Sequence, residues 1–562
     1  MSSARRLVRE KLFAELAVLR KNGVQIPLPG LDSSLLAHDN LPEDPNCKDG
    51  KRSTDDGPIR PRKVCIVGAG IAGLYIAMIL DSLKVPGLTY DILEANSRVG
   101  GRLYTHHFSE NSNDYFDIGA MRFPDIPVMA RTFDLFKRTQ ITPIPYYLEG
   151  QNTLDFFNDH FFDGSTSDPY HVSTENGGRV PDDVVDNFSQ ILEEAFGPYK
   201  ENLAENPDTG FKELMKADDY STREFLKRGG PDGTQRQYDF FSVQWMETMN
   251  TSSNLFDQAF SEIHEKLERK AETNKRVESI SINWKLGRDK GNMSVKCADE
   301  PVRSGYCTVF ATPTLGCLAR MDLQSLELHP SQKDAIRSLH YDDSVKVALQ
   351  FTYPWWIVDC GITQGGVAST DLPLRTCVYP SYNLEDIDKP AVLLASYTWA
   401  QDANRMSSLV DDDNKGELEE LILRDLARLH AGRITYDQIK SAYTGECKAY
   451  SWSQDPTTAG AFALFGPGQF SNLYPYIVRP AAQSQFHIVG EAASTHHAWV
   501  AGALDSAYCA VYKFLYTFEL YEAIDTLKRE WGVVEELDGE EDGTAHLQVA
   551  LGMLRKEDQV RV

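Results

Sequence analysis

Lys63-Val64-Cys65-Ile66-Val67-Gly68-Ala69-Gly70-Ile71-Ala72-Gly73 is an apolar run feeding a G-x-G-x-x-G, and its reading decides the fold. Gly68 permits the tight turn from strand to helix. Gly70 lets backbone N–H groups approach a pyrophosphate, and Gly73 lets the helix pack close to the strand. The helix that begins at Ile71 and Ala72 turns its partly positive N-terminus toward those phosphates. A helical apolar pattern continues to Leu83, and a second apolar run, Leu88 to Leu93, ends in Glu94. A carboxylate roughly 20 residues beyond the glycines can accept hydrogen bonds from ribose hydroxyls. Strand, glycine turn, helix, strand and carboxylate together predict a Rossmann-type unit that binds a dinucleotide.

The rest of the chain is read around that unit. Its 562 residues allow several domains' worth of core, and 42% hydrophobic content suits a globular protein. A net charge of -25 argues against a phosphate-tracking nucleic-acid surface. The nine cysteines are dispersed, form no C-x-x-C pair and show no zinc-ligand spacing, which predicts reduced thiols and no metal site. The adjacent His496 and His497 point apart and have no third ligand in view. There is no secretory h-region, no apolar run of about 18 residues, and the C-terminal Val560-Arg561-Val562 is no peroxisomal address; the expectation is a cytosolic chain without a membrane span.

The fold class expected is α/β (α+β overall), a discontinuous Rossmann-type nucleotide domain with a mixed-sheet substrate domain and a helical insert. The predicted division is an N-terminal helix and linker over 1–62, nucleotide-binding segments at 63–118, 271–340 and 451–525, and substrate-domain segments at 119–180 and 341–450. A helical subdomain occupies 181–270, and 526–562 is read as a peripheral tail. The discontinuity follows from strand patterns near 277–313 and 486–491, far from 64–94, that could join the first sheet.

Past Glu94 the sequence reads Glu94-Ala95-Asn96-Ser97-Arg98-Val99-Gly100-Gly101-Arg102. It resembles the Glu-Ala-x-x-Arg-x-Gly-Gly-Arg of the flavin amine oxidase superfamily, which implies FAD. Gly119-Ala120-Met121-Arg122-Phe123-Pro124 resembles the Gly-x-Met-Arg-(apolar)-Pro segment of L-amino-acid oxidases of the fungal and snake-venom type. There the arginine pairs with the substrate α-carboxylate, a role suited to the two parallel hydrogen bonds of a guanidinium. The resemblance implies further roles. Lys346, in Ser344-Val345-Lys346-Val347, would hold a water against the flavin and so is the catalytic candidate. Tyr379, before Pro380, would be a second carboxylate donor. Phe462 would face the substrate side chain, and Trp499 would wall the site beside Ala498, where relatives often carry glycine. Val277 would lie near the adenine and Glu491 near the ribityl or pyrophosphate. Val500, Ala501, Gly502 and Ala503 would start a helix aimed at the flavin pyrimidine oxygen. With no cysteine at 452–462, FAD is expected to bind non-covalently.

The resemblance spans about 60–525 and breaks in one place. Relatives carry a Gly-Gly segment before the strand at 277, whereas here Phe260-Ser261-Glu262 runs straight into Ile263-His264-Glu265, as if that segment were deleted. The activity implied is oxidative deamination of an L-amino acid with O2 to a 2-oxo acid, ammonia and H2O2, with hydride transfer to the flavin. Alternatives are an amine oxidase or an amino-acid monooxygenase acting on an amine or modified amino acid, and a non-catalytic interaction protein. A homodimer is common among relatives.

Overall fold

The computed structural model describes residues 3–24, 26, 61–111, 114–162, 164–250, 253, 256, 272–411, 415–537 and 543–555. The glycine motif belongs to a four-stranded parallel sheet with the strand order Phe486–Ile488, Thr308–Ala311, Arg62–Val67, Leu88–Leu93. Val64 pairs with Thr308 and Val67 with Leu93, so the sheet gathers strands from three distant parts of the chain. Residues 64–67 and the strand Thr308–Ala311, at the centre of the sheet, are buried along their length because both faces are covered. The helix Ile71–Leu83 is one cover, and the helix Val500–Thr517, apolar on nearly every side, lies against it and is buried almost throughout.

The three strands Val277–Ile282, Met293–Cys297 and Arg303–Tyr306 form a separate antiparallel sheet. Only Thr308–Ala311 from that region joins the parallel sheet, which corrects the broader expectation for 277–313. The physical reason is visible in the alternation of buried and exposed side chains along 277–282, the mark of a strand covered on one face only.

A seven-stranded mixed sheet builds the other half, with Tyr443–Ser451, Ser344–Phe351, Ala391–Trp399 and Thr376–Tyr379 adjacent in that order. Alternate residues of Ser344–Phe351 serve different layers. Val345, Val347, Leu349 and Phe351 fill one core, while Lys346 and Ala348 face the side shared with the nucleotide domain. The helices Asp182–Glu205, Pro207–Met215, Thr222–Arg228 and Phe240–Asn250 form a subdomain with its own core of Val184, Phe225, Val243 and Met246. Residues 257–271 at the end of the predicted helical subdomain, with the break at Glu262, lie outside the described residues, as do residues 27–60 of the linker.

The helix Ser3–Lys21 is no appendage: Val8, Leu12, Leu16 and Leu19 are buried in the core that also holds Cys65 and Val309. Nor is the C-terminal segment peripheral, as the sequence suggested. The helix Thr544–Gly552 buries Leu547, Val549 and Leu551, and Trp531 meets Tyr75 edge to face while its indole N–H donates to Ser82 Oγ. Acidic residues from Glu535 to Asp542 hid these apolar flanks in the sequence. Glu15 accepts two hydrogen bonds from Arg479 Nη1, at 2.9 and 2.8 Å, and Arg479 Nη2 donates to Leu551 O at 2.9 Å. Among the described residues no helix is long and apolar enough to cross a membrane.

Candidate active site

A cavity of 640 Å³ runs from the end of the parallel sheet to the seven-stranded sheet. That volume is in the range of small-molecule sites. At one end Glu94 is fixed by two backbone donors: Ala69 N at 2.7 Å to Oε2 and Asn96 N at 2.8 Å to Oε1. Residues 272–275 run beside it, with Glu272 N donating to Ile92 O and Lys275 N to Glu94 O, and they deliver Val277 to the cavity wall.

The middle is made of glycine backbone. Gly100 N donates to Ala69 O at 2.8 Å, which joins the two glycine turns. Gly101 has φ +59°, and a Cβ there would stand 3.1 Å from Gly70 Cα. A Cβ on Gly73 would stand 2.1 Å from Gly68 O, so this glycine serves helix–strand packing and not the cavity surface. The helix starting at Ile71 has no side-chain cap at Gly70, which leaves its first N–H groups available to an anion. Gly101→Ala is expected to weaken dinucleotide retention about five- to thirtyfold, because left-handed backbone costs a non-glycine residue roughly 1–2 kcal/mol. Equilibrium dialysis of the cofactor checks it; unchanged retention would refute the role given to this turn.

Farther along, Arg102 Nη2 donates to Glu491 Oε2 at 2.8 Å and Nη1 to Ala461 O at 3.0 Å, while Ala463 N donates to the other Glu491 oxygen. Burial alone would raise the Glu491 carboxyl; the Arg102 charge and these hydrogen bonds outweigh it and hold the group below its ordinary value. The depressed group contributes stability above its unfolded value, and that contribution is lost as pH falls through the folded one.

The far end is lined by Lys346, Tyr397, Trp452, Phe462, Ala498 and Trp499. Lys346 is 2% exposed. Its Nζ donates to Asp117 O at 2.8 Å and to Gly119 O at 2.5 Å, lies 3.5 Å from Met121 Sδ and sits 4.6 Å from the centre of the Tyr397 ring. It therefore ties down the backbone that carries Ala120, Met121 and Arg122. Trp452 Nε1 donates to Ile118 O at 3.4 Å and adds a second tie. The helix Val500–Thr517 opens here with no side-chain cap at Trp499, and Val500 and Ala503 lie on the wall.

Of the residues singled out from sequence, Gly68, Gly70, Ile71, Ala72, Glu94, Ala95, Gly101, Arg102, Gly119, Ala120, Val277, Lys346, Phe462, Glu491, Ala498, Trp499, Val500 and Ala503 line this cavity. Gly73, Met121, Arg122, Ala501 and Gly502 are not among the residues that line it. A Cβ on Gly502 would lie 2.1 Å from His496 O, so that glycine serves a close loop contact. Tyr379 is a correction. Its hydroxyl shares a 2.6 Å hydrogen bond with His430 Nε2 inside the core on the opposite face of the sheet. Strand alternation instead turns Val378 toward the layer containing Tyr397, Phe462 and Ala498. The sequence reading missed Thr312, Pro313, Thr314, Asn96 and Tyr397 on the wall. The turn at Thr312-Pro313 was the available signal; Ala391–Trp399 is buried on both faces and gave none for Tyr397.

Ala498 has φ +62°, a left-handed conformation that suits glycine better. Ala498→Gly is expected to raise the unfolding free energy by up to about 1 kcal/mol and to admit bulkier substrates. Thermal unfolding and a substrate panel check both; a lower melting temperature would contradict the first.

Residues 71–261 and 253–512 match the family described as flavin containing amine oxidoreductase. The chain belongs to that family. It is 34% identical over 535 residues to L-amino-acid oxidase 4 of Hebeloma cylindrosporum, covering 83% of each protein. It is 37% identical over 548 residues to a Dictyostelium discoideum protein named "Putative bifunctional amine oxidase"; the match covers 88% of this chain and 49% of that protein, so the chain spans about half its length. Among solved structures, cyclohexylamine oxidase from Brevibacterium oxydans IH-35A superposes with TM-score 0.53 at 13% identity, covering 83% of this chain and 99% of that one. At that identity the likeness speaks to the fold alone.

The family is flavin-containing, and the cavity fits a flavin nucleotide. Glycine backbone passes close on two sides, two uncapped helix N-termini point inward, and Glu94 closes one end. The residues present are those of a flavin-dependent oxidoreductase acting on a small molecule.

Proposed function

We propose that this chain is an FAD-dependent L-amino-acid oxidase with a non-covalently held cofactor. The observation that carries the substrate class is Arg122. It is half-buried beside Met121, and among the described residues its guanidinium has no hydrogen bond or ion pair. A partly buried guanidinium normally has an anionic partner, and a substrate α-carboxylate supplies one. The adenosine half of FAD would lie at Glu94 and Val277, its pyrophosphate over Gly70 and Gly101, and its ring system at Lys346 and Trp499. Among the described residues the cysteine on the cavity wall is Cys317, beside Thr314 and Pro456, and none is found with Lys346, Trp452, Phe462 and Trp499, which supports a non-covalent cofactor.

Bound flavin supplies two-electron oxidation and passes the electrons to O2, yielding H2O2. The chain's own contribution is positional. Arg122 grips the carboxylate and so fixes the α-carbon, a restriction that can be worth several kcal/mol, up to roughly 7–11 for ideal alignment. Lys346 locks the 117–121 backbone beneath the substrate and is proposed to hold a water there. Trp452, Phe462 and Trp499 exclude solvent. The helix N-terminus at Val500 offers N–H groups to negative charge that develops on reduction. The imino acid formed hydrolyses to a 2-oxo acid and ammonia.

The test is a visible spectrum of the purified protein with a peroxide assay across the common L-amino acids and their decarboxylated amines. The expected result is a flavin spectrum and peroxide in step with 2-oxo acid and ammonia. Peroxide with amines only, an amide product, or a colourless protein that takes up no FAD would each overturn the reading.

A further inference from the structure

With Tyr379 turned away, Arg122 lacks the partner that the sequence reading gave it. Tyr146 feels the Arg122 charge and packs against the layer whose Phe462 and Ala498 line the cavity. It sits within the segment 141–149, whose other side chains are mostly exposed, Ile144 at 54% and Leu148 at 55%. The Tyr146 ring instead packs inward against the cluster that holds Val378, Tyr397, Phe462 and Ala498. Its hydroxyl is buried and makes no hydrogen bond with any described residue. Leaving a buried hydroxyl unpaired is costly, so such a group calls for a partner from outside the chain.

We infer that Tyr146 is the second donor to the substrate carboxylate, completing with Arg122 a two-point grip on that anion. The inference rests on the amino-acid oxidase reading of Arg122.

The electrical surroundings agree. Burial pushes the Tyr146 hydroxyl up to about 12, with the Arg122 charge pulling the other way and Tyr397 and Asp117 adding to the rise. The phenol therefore keeps its proton across the neutral range and can only donate to an anion beside it. The segment itself is lightly held: Tyr147 N donates to Ser381 Oγ at 3.0 Å. Tyr146 is thus the inward anchor of an otherwise exposed apolar stretch.

Two measurements on the flavin-loaded protein test this. In steady-state peroxide assays, Tyr146→Phe is expected to raise KM for an L-amino acid about ten- to hundredfold, the loss typical of a hydrogen bond to a charged group. KM for the matching decarboxylated amine and the melting temperature should stay as in the parent. Benzoate binding, followed by the flavin absorption, should weaken by a similar factor in Tyr146→Phe and in Arg122→Met. If benzoate binding weakens in Arg122→Met but not in Tyr146→Phe, the Tyr146 inference fails and the Arg122 reading stands. If amines are oxidised, amino acids are not, and benzoate does not bind, both fail together. Equal rises in KM for amino acid and amine would show that Tyr146 only packs, which also overturns the inference.

Discussion

Under the proposed function, Arg122→Met is expected to lower kcat/KM for L-amino acids by about 10² to 10³, with oxidation of the corresponding amines changing little. The size follows from removing one partner of a largely desolvated charge pair, which costs roughly 2–5 kcal/mol. The selectivity follows from geometry, because only a substrate with a carboxylate uses the guanidinium. Methionine keeps an unbranched apolar stem while removing the charge and the donors. Lysine in place of arginine should recover only part of the loss, because a single ammonium cannot make two parallel hydrogen bonds. A variant with parental kcat/KM for amino acids would remove the observation on which the proposed function stands.

Arg479→Met is the largest stability loss expected away from the site, about 3–5 kcal/mol. It leaves Glu15, 8% exposed, as an unpaired buried carboxylate and removes the bond to Leu551 O. Chemical denaturation followed by tryptophan fluorescence reads the loss. The double variant Glu15→Leu/Arg479→Met should regain much of it, since replacing a whole buried pair by apolar groups is often neutral. If the double variant is as unstable as the single one, packing at Arg479 and not the uncompensated charge is responsible.

Much of this was legible in the sequence, for a physical reason. The nucleotide cradle is made of local features: a parallel strand is a continuous apolar run, a glycine at a close approach has no substitute, and Glu94 needs only its place at the end of a strand. The strand Leu88–Leu93 has the boundaries read from its apolar run. What could not be read is which face of a strand meets which layer. In Thr376–Tyr379 a tyrosine follows a valine, and both faces of the sheet are buried, so alternation alone assigns neither to the site. Tyr146 gave no signal because it lies in a Pro-punctuated loop, Thr142 to Gly150, where no periodicity says which side chain turns inward. The C-terminal helix was misread because an acidic stretch precedes it, and composition averaged over a tail conceals four buried apolar residues.

The strand order of the parallel sheet has a consequence for biosynthesis. The edge strand Phe486–Ile488 pairs with Thr308–Ala311, which pairs with Arg62–Val67. A ribosome adding about 5–20 residues per second exposes the glycine turns long before it supplies the last strand and the helix Val500–Thr517. The nascent chain therefore carries half a cradle until residues 486–517 have been made, and completion of the nucleotide site waits on long-range pairing.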